Sequence, residues 1–196
     1  MDIESFFQFY RVEFLPAYAD LVSFVLKKPK QILTEIENTF SHVAQYFNPT
    51  LNSEVKEENL KKAHDHLQRA TLDCYKLLWT QMDKELKKIY FDDKARIFAI
   101  NIREDVFLKK FDDFRTQAKN ARIEEIKNVG LNPLSALDKY KETIKTGKYL
   151  LSNVDKNKLS KLNTFRAVIT TKESIISIAI GVVSGFIAGL LTAPFL

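Results

Sequence analysis

The chain has 196 residues, of which 28% are charged and 15 are phenylalanine, and this composition excludes a disordered protein because disordered chains are poor in aromatic residues. Its formal net charge is +5, and the whole excess follows Gly130: residues 1–130 carry 21 basic and 21 acidic side chains, whereas residues 131–196 carry nine and four. Since the larger part of the chain is neutral, we expect no nucleic acid as a partner.

A scarcity of helix-breaking residues predicts an all-α protein. The chain contains five glycines and five prolines, and three of the glycines fall within its last 16 residues. We therefore predict a bundle of four to five long helices in residues 1–151. The single cysteine, Cys74, cannot form an internal disulfide, which fits a reducing compartment. Asp2 and Glu4 stand where a secretory signal carries positive charge, so we expect no cleaved signal peptide.

Apolar residues at helical spacing define the first two predicted helices. In the first helix this spacing runs from Phe6 to Val25, and Pro16 is expected to kink or divide it. The second helix follows Pro29 and ends before Pro49. Its predicted inward face is one apolar stripe, made of Ile32, Leu33, Ile36, Phe40, Val43 and Phe47.

The third predicted helix is the longest. Ser53 is expected to cap its N-terminus, and a break is expected at Asp92 and Asp93. The residues predicted to face inward are Leu60, Ala63, Leu67, Ala70, Cys74, Leu77, Met82, Leu86 and Ile89.

Two further helices and a basic connector complete the predicted domain. The fourth helix is predicted to run from Ile97 to Ile126, with Gly130 as its C-terminal cap. The fifth is expected to start with Pro133 at its first position and Asn132 as its cap. It ends where the lysine-rich residues 152–173 begin. We interpret these residues as a juxtamembrane connector, either a linker or a short surface helix.

The last 23 residues, from Ser174 to Leu196, contain no charged side chain. At about 1.5 Å per residue, a helix of this length spans a hydrocarbon core of roughly 30 Å. The other interpretation is a buried core helix, which would need protein packed around every face. We predict a single transmembrane helix, so that the protein is tail-anchored in a membrane.

Basic residues cluster immediately before this apolar segment, and none follows it. The positive-inside rule therefore predicts that the N-terminal domain is cytoplasmic. Each basic side chain near an anionic membrane surface contributes about 1 kcal/mol of attraction, so we expect membrane lipid as a partner. The residues predicted to contact lipid headgroups are Lys156, Lys158, Lys161, Arg166 and Lys172.

Small residues recur at every fourth position of the apolar segment, as in a glycine zipper: Ser177, Gly181, Gly185 and Gly189. On a helix they share one face, where the absence of a Cβ atom lets two backbones approach closely. This pattern predicts a transmembrane assembly face and a homo-oligomer, although glycine is also common in membrane helices that stay apart.

Few residues suggest a metal or cofactor site. His64 and His66 are two apart, so on a helix they point about 200° away from each other and cannot share one ion, and His42 is too remote in sequence to assume a meeting. Cys74 falls on an apolar stripe and is predicted to be a core residue. The acidic pairs are predicted to be solvated surface: Asp92 with Asp93, Asp112 with Asp113, and Glu124 with Glu125.

Known catalytic motifs are also missing from the sequence. It contains no glycine-rich phosphate loop, no Ser-His-Asp or zinc-protease signature, and no arginine followed four to six residues later by histidine, as in the helical ribonucleases of the HEPN class. We therefore expect a non-enzymatic protein without a catalytic residue, a metal or a cofactor.

Two hypotheses of function remain. The first is an oligomerising, membrane-disrupting effector of the antiphage-defence or toxin type, whose cytosolic domain responds to a protein inhibitor or trigger through its aromatic-rich first helix. The second is a passive tail-anchored adaptor that recruits a cytosolic partner to the membrane.

Overall fold

The computed structural model describes residues 2–170 and residue 172, and its regular structure over that range is helical, which confirms the predicted all-α class there. Residues 156–170 form the last described helix, which we call α8. The preceding elements are α1 (Ile3–Phe9), a π-helical segment (Tyr10–Phe14), α2 (Leu15–Val25), α3 (Lys30–Tyr46), α4 (Ser53–Tyr90), α5 (Asp93–Ala99), α6 (Glu104–Lys127), a 3-10 helix (Pro133–Ala136) and α7 (Leu137–Ser152).

The 38-residue helix α4 is the centre of the domain, and α3, α7 and α2 pack along it. Eight of its nine predicted inward residues are buried and the ninth, Leu77, is partly buried against the core. The predicted cap is off by one residue: Ser53 begins the helix, and the Asn52 side chain accepts a hydrogen bond from the backbone N–H of Val55 at 2.9 Å. The predicted break is confirmed, because α4 ends at Tyr90.

The helix does not divide at Pro16 as the sequence suggested. Residues Ile3 to Val25 stay helical through the π-helical segment, and Pro16 is the second residue of α2. A proline lacks the N–H that would bond four residues back, and its ring crowds that carbonyl, so a widened turn before it accommodates the ring. The helix ends instead at Leu26, which adopts a left-handed conformation with φ of 55°.

The apolar stripe predicted for α3 is right for three of its six residues, because Ile32 is buried and Ile36 and Val43 pack against the core. The face on the core contains Ile32 and Thr39, both buried, whereas Leu33, Phe40 and Phe47 are exposed. Neighbouring residues on a helix differ by about 100°, so the predicted stripe covered two adjacent faces, and only the face with Ile32, Ile36 and Val43 packs on the core.

The fourth predicted helix is also wrong in its extent, because two helices occupy its place. Helix α5 ends at Ala99, and Ile100 is extended and pairs with Val154. The backbone carbonyl of Ala99 accepts from the N–H of Asp155 at 2.7 Å, and the N–H of Asn101 donates to the carbonyl of Asn153 at 2.8 Å. These bonds replace the hydrogen bonds that would have continued the helix.

The turn before α7 follows only part of its prediction. Gly130 adopts a positive φ of 78°, but the residue that caps α6 is Asn128, two positions before the predicted cap. Pro133 starts a helical segment as predicted, but that segment is a short 3-10 helix and the Asn132 side chain forms no capping bond.

Within the described residues no helix has the length and apolar character needed to cross a membrane. The predicted transmembrane helix, residues 174–196, lies outside the described residues.

Candidate functional site

Helix α8 lies against the bundle through one face. Asp155, Leu159, Leu162 and Arg166 are its partly buried residues, and their spacing of four, three and four residues places them on one side of a helix. Leu159 and Leu162 pack against the hydrophobic core. Asp155 starts the helix, since its carboxylate accepts from the N–H groups of Asn157 and Lys158, each at 3.0 Å. Of the two alternatives for this region, the structure therefore has the surface helix.

A two-pronged ion pair joins the far end of α8 to the start of α5. The Arg166 guanidinium donates from Nη1 to Asp92 Oδ2 at 2.5 Å and from Nη2 to Asp92 Oδ1 at 2.7 Å. The same carboxylate caps α5 by accepting from the Ala95 N–H at 3.0 Å. The Arg166 hydrogen bonds lower the pKa of Asp92 to about 2, with the capping bond adding to the effect and burial opposing it. The charged pair therefore persists through the physiological pH range.

The structure separates the five basic residues predicted to contact lipid. Lys158, Lys161 and Lys172 are exposed and share one side of the helical path. Lys156 lines a groove on another side, and Arg166 faces the bundle in its pair with Asp92. The predicted assembly face, Ser177, Gly181, Gly185 and Gly189, lies outside the described residues.

Replacing Arg166 with glutamine is expected to loosen the end of α8, because the glutamine side chain cannot form the two charged hydrogen bonds to Asp92. Backbone hydrogen exchange of residues 162–170 should accelerate roughly two- to fivefold, as expected for a partly exposed ion pair. The difference between the variant and the wild type should vanish near pH 2, where Asp92 of the wild type becomes protonated. The pKa of Asp92 is lowered, so the stabilisation by the ion pair is lost as pH falls through that lowered pKa.

The matched control is Arg103→Gln, which breaks the exposed pair of Arg103 and Asp105 at 3.0 Å. That pair joins neighbouring residues at the start of α6 and connects no second helix, so exchange in α8 should not change. Equal exchange in the Arg166 and Arg103 variants would show that the pair with Asp92 does not hold α8.

A partly buried polar network joins α3, α4, α6 and α7. Lys76 lies at its centre, 2.5 Å from Asp73 Oδ1 and 2.9 Å from Glu125 Oε1. The Tyr140 hydroxyl donates to Glu125 Oε2 at 2.7 Å, and the Gln31 amide donates to Asp73. Glu125 was predicted to be solvated surface, and this is wrong, because only 15% of its side chain is exposed.

The charges in this network stabilise one another. Burial alone would raise the pKa of Glu125, but the hydrogen bonds from Tyr140 and Lys76 outweigh it and the pKa is lowered. Burial would likewise lower the pKa of Lys76, but its bonds to Asp73 and Glu125 raise it. Such an arrangement holds four helices in register, and every charged member already has a partner, so we assign it a structural role.

The histidines meet in a way that sequence spacing did not indicate. The rings of His42 and His66 stack with centroids 5.4 Å apart, and His66 Nδ1 lies 2.7 Å from Glu35 Oε2. His64 points elsewhere, against Phe9 at 5.0 Å, which confirms that it and His66 diverge. Over residues 2–170 no group of three or more acidic, histidine or cysteine side chains is placed to hold a metal ion.

A groove of about 1060 Å³ lies between α2, α4, α7 and α8. Phe24, Val25 and Leu159 supply apolar wall, and the charged residues Glu85 and Lys88 pair with each other at 2.7 Å. The lining of the groove therefore mixes apolar side chains with an ion pair.

No protein-family model, curated protein or solved structure matches this chain.

Proposed function

We propose that this protein is a membrane effector whose residues 174–196 cross a membrane and self-associate, and whose cytoplasmic helical domain controls that assembly. The observation that carries the proposal is the uncharged 23-residue sequence with small residues at every fourth position, starting two residues after Lys172. Helices with this pattern pack closely in lipid because their backbones can touch. The protein would then act as a toxin or antiphage effector, because its assembled helices would let ions leak across the membrane.

The contacts of α8 support control by the domain. Arg166 binds Asp92, and Leu159 and Leu162 pack on the core, so the last described helix is attached to the bundle. A change in the bundle that breaks these contacts would release α8, and the apolar segments of neighbouring copies of the protein could then approach one another. In this proposal the contacts of α8 link the helical domain to the assembling segment.

Exposed apolar side chains on the first helices support a protein inhibitor or trigger as the controlling partner. Phe7, Val12 and Leu15 are exposed, whereas Phe6 and Phe14 on the same continuous helix are buried. In this proposal these exposed side chains contact the inhibitor or trigger.

Replacing Gly181, Gly185 and Gly189 together with leucine is expected to abolish both assembly and membrane depolarisation, because three side chains would separate the backbones. Expression of the wild-type protein in bacteria should collapse the signal of a membrane-potential dye and give detergent-resistant oligomers. The leucine variant should run as a monomer, and cells that express it should keep the membrane potential of cells without the protein.

The control places three leucines on the opposite face of the same predicted helix, as Ala179→Leu, Val183→Leu and Ile187→Leu. These changes preserve length and hydrophobicity, and oligomers and depolarisation should persist. Unchanged oligomers in the glycine variant, or full-length protein that stays in the supernatant after ultracentrifugation of a detergent-free lysate, would refute the proposal.

A second candidate function, the passive adaptor, is favoured by the exposed stripe of Leu33, Phe40 and Phe47 along α3. These residues recur every seventh position, as in a helix that binds a partner helix. Exchanging residues 174–196 for an unrelated inert anchor discriminates the two functions. An adaptor keeps its activity after the exchange, whereas the effector loses it.

A further inference from the structure

Further exposed apolar side chains belong to α8 and to α5 with the residue Phe91 before it, two helices that run side by side. Phe91, Ile97 and Phe165 are 72%, 76% and 63% exposed, and Phe98 is also exposed. On α8, Val168 and Ile169 continue the apolar face of Phe165. We call these six residues the α5–α8 surface.

Contacts at both ends of α5 bring the two helices together. At one end Asp92 binds Arg166. Phe91 directly precedes this aspartate and Phe165 directly precedes this arginine, and both rings are exposed. At the other end the backbone of Asp155, at the start of α8, bonds to that of Ala99. Ile97 and Phe98 therefore lie on a short helix that α8 spans from end to end.

Lysines border the apolar residues. Lys158 and Lys161 share the side of α8 that carries Phe165, and Lys94 is exposed on α5 beside Ile97 and Phe98. Lys94 and Lys161 form no ion pair within the described part of the chain. Phenylalanine and aliphatic residues bordered by lysine are the composition of helices that lie in the interface of an anionic bilayer.

We propose that the α5–α8 surface lies on the membrane, with its apolar side chains at the level of the headgroups and its lysines on anionic lipid phosphates. The inference rests on the proposed function, since residues 174–196 would hold this surface at the bilayer. Two observations select lipid over a protein partner: the bordering lysines Lys94 and Lys161 are unpaired in the described part of the chain, whereas the exposed Asp93 pairs with Arg96, and the uncharged sequence begins only five residues after Ile169. The domain would therefore have a fixed orientation, with α5 and α8 toward the membrane.

The test uses three variants of the full chain, each with one environment-sensitive NBD label on an introduced cysteine. Phe98→Cys and Phe165→Cys place the label on the α5–α8 surface, and Phe47→Cys is the control. Phe47 is 61% exposed and caps the C-terminus of α3, outside the α5–α8 surface. The native Cys74 should stay unlabelled, because it is fully buried and burial, aided by the Asp73 charge, raises the pKa of its thiol to about 12. Each labelled protein is reconstituted into vesicles of phosphatidylcholine with and without phosphatidylglycerol.

Lipids with a spin label near the headgroup should quench the labels at positions 98 and 165 at least twofold more than the label at position 47. The difference should require phosphatidylglycerol. Protein that floats with the vesicles but shows equal quenching at all three positions would overturn this orientation and leave the membrane anchor standing. Equal quenching with and without phosphatidylglycerol would overturn anionic lipid as the partner. Protein that does not float would overturn the proposed function together with this inference.

Discussion

Replacing Lys76 with methionine is expected to reduce the free energy of unfolding by about 3 kcal/mol, because it leaves two mostly buried carboxylates without their cation. Asp73 and Glu125 are 12% and 15% exposed in their side chains, and Lys76 is within 2.9 Å of both. A methionine fills similar volume, so the loss reports on charge rather than on a cavity. Urea unfolding at neutral pH, followed by circular dichroism, measures the change.

The pH dependence of this loss identifies its cause. In the wild type the pKa of Glu125 is lowered, so its stabilising contribution is present above the ordinary glutamate pKa and lost as pH falls through the lowered value. Without Lys76, burial should raise that pKa instead, and protonation then relieves the repulsion between the carboxylates. The difference between wild type and Lys76→Met should therefore shrink from pH 7 to pH 4.

Lys62→Met is the matched control, because it breaks a pair with Glu58 on the same helix at 2.7 Å, where both side chains are more than half exposed. Exposed pairs within one helix contribute little, so its unfolding midpoint should match the wild type. A midpoint equally unchanged in Lys76→Met, or a loss that does not vary with pH, would contradict the role given to the network.

Sequence reasoning succeeded where one apolar stripe had no competitor. Helix α4 is buried along most of its length, so the predicted stripe with Leu60, Leu67 and Met82 was placed correctly, although Leu72 and Leu78 beside it are buried as well. On α3 two apolar stripes lie side by side, and only contact with α4 decides which one is buried. Periodicity identifies a helix reliably but does not choose between adjacent faces of it.

The contacts of the candidate site depend on tertiary structure and could not be predicted from spacing. Asp92 and Arg166 are 74 residues apart, and Lys76 and Glu125 are 49 apart. Adjacent acidic residues diverge on a helix, so the pair Glu124 and Glu125 was interpreted as surface, whereas one member turns into the core. One available signal was missed: Asp155, Leu159, Leu162 and Arg166 have the spacing of a packed helix face within a segment that is otherwise polar.

Replacing Gly147 with leucine is expected to destabilise the domain by about 3 kcal/mol or more, because α7 packs on α4 and α6 with no space for a side chain there. A Cβ atom at this position would lie 2.8 Å from Met82 Sδ and 2.9 Å from Phe114 Cε2, closer than van der Waals contact permits. Overpacking of this kind costs about 1–3 kcal/mol even for small additions. The gain in helix propensity when glycine is replaced is only about 1 kcal/mol, so steric repulsion should win.

The size series and a compensating change make this test specific. Gly147→Ala should lose about 1 kcal/mol, less than leucine, and Phe114→Leu should recover part of that loss by removing the ring edge, so the two changes should not be additive. Lys145→Leu, which adds the same side chain at an exposed position of α7, should leave the urea midpoint nearly unchanged.

Because α7 leads directly into α8, the leucine at position 147 should also speed hydrogen exchange in residues 156–170. A stable Gly147→Leu variant with normal exchange in α8 would show that close packing of α7 does not position α8.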